Sequence, residues 1–176
     1  MLVNVAGVGC NALVSQSSPE TLTGMIQLNC TALTHLTSLC LPYMNRGSRI
    51  VNLASAAAFA PQPGSAVYGA TKAYVLSFSR ALGQELADRR IFVTAVCPGP
   101  VETDFFRTAG EPAGKTRQKL MAQPGKVVRK ALSDVRRRRS VSVYGAAMKG
   151  ARTAAKIAPD RLTDWFMNKM NTRSLT

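Results

Sequence analysis

The chain has 176 residues, 46% of them hydrophobic and only 18% charged, a balance that supports a packed core and excludes an intrinsically disordered chain. No apolar run reaches the roughly 18 residues of a membrane-spanning helix, and no charge precedes Glu20, so neither a span nor a signal peptide is predicted. The net charge of +14 is uneven: residues 1–100 hold six Lys/Arg against three Asp/Glu, whereas residues 101–176 hold seventeen against six, which implies attraction of the C-terminal part to anionic surfaces or ligands. The four cysteines, Cys10, Cys30, Cys40 and Cys97, have no CxxC spacing and suit a reducing cytoplasm. His35 is the only histidine, so no metal site is predicted.

In chain order, "MLVNVAG" reads as a short buried strand ending in a glycine turn. Pro19 to Met44 has helical apolar spacing (Leu22, Met25, Ile26, Cys30, Leu33, Leu36), with Ser18 as cap and Pro19 in the first turn. "SRIVNLAS" is the second strand, residues 56–65 a loop of small residues, and Ser65 to Arg89 a second helix. "IFVTAVCPG" is a third strand, stopped at Pro98-Gly99, with Cys97 as a small core residue. Strand and helix thus alternate as in parallel βαβ units with helices on both faces. Thr103 to Ala122 is polar, and Lys126 to Val135 reads as helix. "SVSVYG" reads as a last strand, Ala146 to Ala158 as a packing helix, and a final helix begins near Pro159 with Leu162, Trp165, Phe166 and Met170 on one face. The predicted fold is α/β, a partial Rossmann-like, doubly wound and mostly parallel sheet over residues 1–145, followed by a basic helical extension over 146–176.

In the second helix Tyr68 and Lys72 stand one turn apart and point the same way. A free phenol titrates near 10, so proton exchange near neutrality asks for about three pH units, roughly 4 kcal/mol. A cation ~4–5 Å away at an effective dielectric of about 20 supplies roughly 3–4 kcal/mol. The pair alone is a spacing that many structural helices contain. Its company narrows the reading: Ser55 ends a strand thirteen positions earlier, Pro98-Gly99 ends the next, and Asn29 lies inside the preceding apolar helix. All fall at C-terminal strand ends or on adjoining helices, the edge where open α/β sheets bind ligands.

With these residues in hand, the chain resembles the short-chain dehydrogenases/reductases, from Leu2 to about Thr103 and more weakly to Gly145. The markers are "NVAG" (Asn4 to Gly7), Asn29, Ser55, "YGATK" and "PGPVET" (Pro98 to Thr103). The resemblance implies hydride transfer between NAD or NADP and an alcohol or carbonyl substrate. It implies Tyr68 as general acid/base, Ser55 as hydrogen-bond partner of the reacting oxygen, Lys72 as the group that lowers the tyrosine pKa and holds the nicotinamide ribose, and Asn29 as anchor of a water relay. Asn4, Ala6, Gly7, Tyr68, Lys72, Pro98, Gly99, Val101 and Thr103 would border the cofactor. Self-association through the two long helices is also implied.

Two departures shape the expectation. Val5 stands where the family's motif has a second asparagine. The family's glycine-rich TGxxxGxG turn, which cradles the cofactor phosphates, has no counterpart in these residues, and "GVG" at Gly7 to Gly9 is a weak substitute. The sequence therefore reads as an N-terminally shortened member. Two functions remain open: an NAD(P)-dependent oxidoreductase, or a catalytically incompetent remnant or interaction module. The basic tail is open too. "RRRR" (Arg136 to Arg139) reads as a solvated helix end suited to the negative pole of a helix. Alternatively, the tail makes a peripheral contact with anionic membrane through Trp165 and Phe166. No aromatic-interleaved basic motif points to nucleic acid.

Overall fold

The computed structural model describes residues 1–105, 109 and 121–171. Four strands form one parallel sheet in the order β1 (Leu2–Asn4), β2 (Arg49–Leu53), β3 (Phe92–Val96) and β4 (Val141–Ser142). Leu2 stands opposite Ile50, Asn4 opposite Asn52, Leu53 opposite Val96 and Ala95 opposite Val141. The β-branched content of "RIVNL" and "FVTAV" suits strands buried on a pleated surface.

The first connection is one helix in pieces: α1 (Pro19–Ile26), a π-helical turn over Gln27–Ala32, and α2 (Leu33–Cys40). Ser18 caps it as predicted, its hydroxyl accepting from the Thr21 amide at 3.2 Å. The continuous helix expected from Pro19 to Met44 is thus interrupted where Asn29 sits, a wide turn of the kind that clusters at functional sites. The second connection is α3 (Ala66–Glu85), shorter at its end than the expected Arg89. Later come α4 (Pro124–Arg136), α5 (Ala146–Ile157) and α6 (Asp160–Asn171). The polar segment Thr103 to Ala122 falls largely outside the described residues.

Alternation along β2 assigns the helices to faces. Ile50 packs with Leu82, Leu86, Ile91 and Val93, and Asn52 Nδ2 donates to Ser79 Oγ of α3 at 2.9 Å. Arg49 points the other way, and its guanidinium donates to the Val135 carbonyl of α4 at 2.6 Å. Helices therefore cover both faces, as the sequence pattern predicts. A second core group joins Leu33, Ala54, Val75, Ala95, Cys97 and Val143, with Met148 of α5 packed against it, so Cys97 is the core residue expected and α5 is tied to the sheet.

The arginine run does more than face solvent. Arg138 adopts a left-handed backbone (φ 57°) just past α4, and its guanidinium lies 4.6 Å from the Phe92 ring centroid. Thr94 Oγ1 donates to the Arg139 carbonyl at 2.8 Å, and Arg139 Nε lies 3.5 Å from Asp134 Oδ1. Asp134 is buried, ion-paired with Lys130 one turn earlier, and accepts from Ser142 Oγ of β4 at 2.8 Å. Burial alone would raise its carboxyl pKa, but the Lys130 and Ser142 hydrogen bonds and the Lys130 and Arg139 charges outweigh it and hold the group below its ordinary value.

A group depressed on folding stabilises the fold at neutral pH and loses that contribution as pH falls through its folded value. Asp134→Ala should therefore cost roughly 1–3 kcal/mol at pH 7. The deficit should shrink once pH drops below the ordinary carboxylate range near ~3.9. Urea melts of both proteins at pH 7 and at low pH check this; an equal deficit at both would count against the linkage.

Candidate active site

The site is built on the end of β2. Beyond Leu53 the chain turns at Ser55, whose hydroxyl accepts from the Ala57 amide at 3.1 Å and so starts the short 3-10 turn Ala56–Phe59. The Ala56 amide donates to the Pro98 carbonyl at 2.8 Å, which fixes this turn to the end of β3. Tyr68 and Lys72 project from the first turns of α3 back toward the same edge, their Nζ-to-ring distance being 5.8 Å. Lys72 is 4% exposed and donates to the Leu53 carbonyl at 2.9 Å.

Electrostatics here differ from the sequence-based expectation. Burial pushes the Tyr68 phenol above its usual range, and hydrogen bonding to the Ser55 side chain opposes the rise without reversing it. Lys72 does not draw the phenol down toward neutrality in the protein alone. Burial instead lowers the lysine itself from 10.5 to about 8. The loss of solvation is larger than the pairing of these two groups, because both sit in the same enclosed corner.

Asn29 is 1% exposed and its carboxamide is committed. Oδ1 accepts from the Val8 amide at 3.0 Å, while Nδ2 donates to the Val8 carbonyl at 2.9 Å and to Thr71 Oγ1 at 3.0 Å. Thr71 Oγ1 donates in turn to the Tyr68 carbonyl at 2.8 Å. Asn29 thus clamps the loop after β1 to α3 between Tyr68 and Lys72, and both hydrogens of its side-chain amide are used in doing so.

The remaining predicted residues divide. Gly7 lies against the site: a Cβ there would stand 3.0 Å from Asn29 Oδ1 and 3.2 Å from Lys72 Nζ. Asn4 is buried behind it, donating to Asn52 Oδ1 at 2.8 Å and to Thr37 Oγ1 at 3.0 Å, so its amide locks β1 to β2 and α2. Ala6 is exposed on the loop between them. Pro98 meets the Ser55 turn, Gly99 is crowded by Met148, Val101 makes a parallel bridge to Ala122, and Thr103 is exposed, its hydroxyl 3.4 Å from the Val101 carbonyl.

Two neighbours escaped sequence reasoning. Phe105 stacks at a tilt on Tyr68, with ring centroids 5.6 Å apart. Gly9 faces the same rings, since a Cβ there would fall 2.5 Å from Phe105 Cζ and 3.2 Å from Tyr68 Cδ2. The "GVG" stretch, read as a weak phosphate loop, here makes room for the aromatic lid over the phenol. Ser65, just before α3, donates to Asn11 Oδ1 at 2.5 Å, a contact no spacing announces.

A phenol, a hydroxyl and a buried ammonium are thus gathered at the carboxyl edge of a parallel sheet, the edge where open α/β sheets bind ligands. The family model described as short chain dehydrogenase matches residues 1–114, and the chain belongs to that family. It is 37% identical over 125 residues to an uncharacterized oxidoreductase of Staphylococcus epidermidis, covering 70% of this chain and 53% of that one. It is 40% identical over 121 residues to a sulfoacetaldehyde reductase of Chromohalobacter salexigens, covering 64% of this chain and 47% of that one. A short-chain dehydrogenase of Sphingobium yanoikuyae, solved with NADPH, superposes with a TM-score of 0.75 at 33% identity over 88% of this chain and 62% of that one. The chain spans about half the length of the curated relatives it matches.

The lowered Lys72 gives a sign-definite consequence. Between its folded value of about 8 and its ordinary 10.5 the unfolded chain holds more protons, so stability climbs as pH rises through that window. The climb attributable to Lys72 should be on the order of 3 kcal/mol. Lys72→Met should flatten it, and the difference between the two proteins' urea-melt stabilities across that pH range measures it; parallel curves would refute the assignment.

Proposed function

We propose that this chain carries the proton-transfer half of an NAD(P)-dependent oxidoreductase acting on an alcohol or carbonyl compound. The observation that carries the reading is the convergence of Tyr68, Ser55 and Lys72 at the end of β2, with Asn29 clamping the loop beside them. A bound nicotinamide would supply or accept the hydride. The residues present fit its ribose side. Lys72 Nζ spends one of its three donors on the Leu53 carbonyl, and Gly7 leaves the space that a side chain would fill. Pro98, Gly99, Val101 and Thr103 would border the ring and its amide.

The raised phenol favours one direction. At neutral pH Tyr68 is protonated and can donate to a carbonyl oxygen held by Ser55, so reduction proceeds from the resting state. Alcohol oxidation needs the phenolate and is favoured as pH rises. Phe105 and Gly9 close over the ring and keep water from it. Calorimetric titration with NADH and NADPH, followed by pH–rate profiles in both directions, tests this. Oxidation should rise about tenfold per pH unit below the phenol's pKa while reduction stays flat, and Tyr68→Phe should lower both by roughly 10²–10⁴. Failure to bind either cofactor at millimolar concentration, or an undiminished Tyr68→Phe, would overturn the reading.

The same reading includes self-association. Ile26, Leu36, Leu39 and Tyr74 are exposed on α1, α2 and α3, with Tyr43 just beyond α2, an apolar surface that a second copy can cover. Sedimentation equilibrium should show an oligomer that Leu36→Glu with Tyr74→Glu dissociates. A monomeric parent protein would refute it.

A further inference from the structure

We propose that the α5–α6 end of the molecule is a docking surface for anionic lipid bilayers, with one face of α6 entering the interface and the surrounding cations meeting lipid phosphates. This stands on residues that the proposed chemistry does not use.

On α6, Thr163 and Met167 are half-buried and Asn171 is buried, so these positions turn toward the protein. The residues that remain outside are large and apolar: Leu162 is 56% exposed, Trp165 59%, Phe166 53% and Met170 43%. Ile157, at the end of α5, is 79% exposed. Leu162, Phe166 and Met170 recur every four residues and form a stripe, with Trp165 at its margin. A soluble monomer rarely shows so many large apolar side chains together without a partner for them.

The same two helices are rich in cations. Lys149, Lys156, Arg161 and Lys169 are exposed, and Lys169 Nζ lies 5.0 Å from the Trp165 ring centroid. Only Asp160 and Asp164 oppose them on the two helices, and Asp164 lines a hollow against Pro61 and Pro63. Arg80 of α3 joins Arg152 and Lys156 around a shallow pocket of about 130 Å³ floored by Ala58, Phe59 and Leu76, with no acidic residue in its lining. That pocket takes the size and charge of a phosphate group.

The combination selects the occupant. A nucleic acid satisfies the cations but leaves the apolar stripe in water. A second copy covers the stripe but sets one cationic rim against another on chains of net charge +14. An anionic bilayer satisfies both, its acyl boundary taking the stripe and its headgroups taking the cations. Among the described residues no helix is long and apolar enough to cross a membrane.

Trp165 is the only tryptophan, so its fluorescence reports on α6 directly. The full chain is mixed with phosphatidylcholine vesicles, with and without about one third phosphatidylglycerol, and followed by co-sedimentation and Trp165 emission. The expected result is binding and a blue shift with the anionic vesicles only, both reversed by high salt. Lys156→Gln with Lys169→Gln should weaken partitioning about 25-fold, roughly fivefold per charge. Leu162→Glu with Phe166→Glu should abolish it while circular dichroism stays that of the parent. Absent binding, equal binding to both vesicles, or undiminished binding of the Leu162/Phe166 variant overturns the proposal. A blue shift without vesicles that grows with protein concentration overturns it in favour of a second copy.

Discussion

The rest of the corner at the end of β2 is arranged around one buried ammonium. Lys72 is nearly inaccessible to water and donates to the Leu53 carbonyl at the end of β2. Burying a cation without a counter-ion is costly, and the drop of its pKa to about 8 is the measure of that cost. The surroundings hold it there through geometry. The Asn29–Thr71–Val8 contacts close the loop after β1 onto α3, and Gly7 leaves just enough space beside Nζ. Loosening any of these would let the lysine reach water, and the phenol's environment would change with it. Desolvation with a shifted pKa is a pattern that clusters at functional sites.

A second polar chain sets the scaffold that this corner needs. Asn4 bonds Asn52 and Thr37, and Asn52 bonds Ser79, so β1, β2, α2 and α3 are linked by side chains in a dry interior. Each amide in that chain would be costly if unpaired, so the network tolerates no slip of register. A shift of β1 by one residue would turn Asn4 to the other face and leave the Asn52 carbonyl without its donor. The network thus fixes β2, and with it the Leu53 carbonyl to which Lys72 donates.

Much of this was legible in the residues. Strand–helix alternation, the Ser18-Pro19 start, the Pro98-Gly99 stop and the Tyr68–Lys72 spacing are local patterns, and local patterns survive without knowledge of the tertiary fold. What stayed hidden depends on contacts between distant positions. The π-helical turn at Asn29 answers to Val8 and Thr71, far away in sequence. Phe105 over Tyr68 and Gly9 beneath both rings come together only after folding. The direction of the phenol's shift was misread for the same reason. A helical spacing reveals the neighbouring charge, but only the packed structure reveals how much water both groups lose.

The arginine-rich half of the chain shows how one composition serves two purposes. Arg138 over Phe92 and Arg139 beside Asp134 fasten the end of α4 to the sheet, so part of the excess positive charge is structural. These cations lie against an aromatic ring or a carboxylate. Lys149, Lys156 and Arg161 are instead exposed, on helices with only two acidic residues, and Lys169 lies over the exposed Trp165 ring. Structural need accounts for the first group by its partners. The second group gains nothing for the fold from repelling itself around exposed Leu162, Trp165 and Phe166, since like charges and wet apolar surface both raise the free energy of the isolated chain. Such a surface becomes favourable only against something both anionic and apolar.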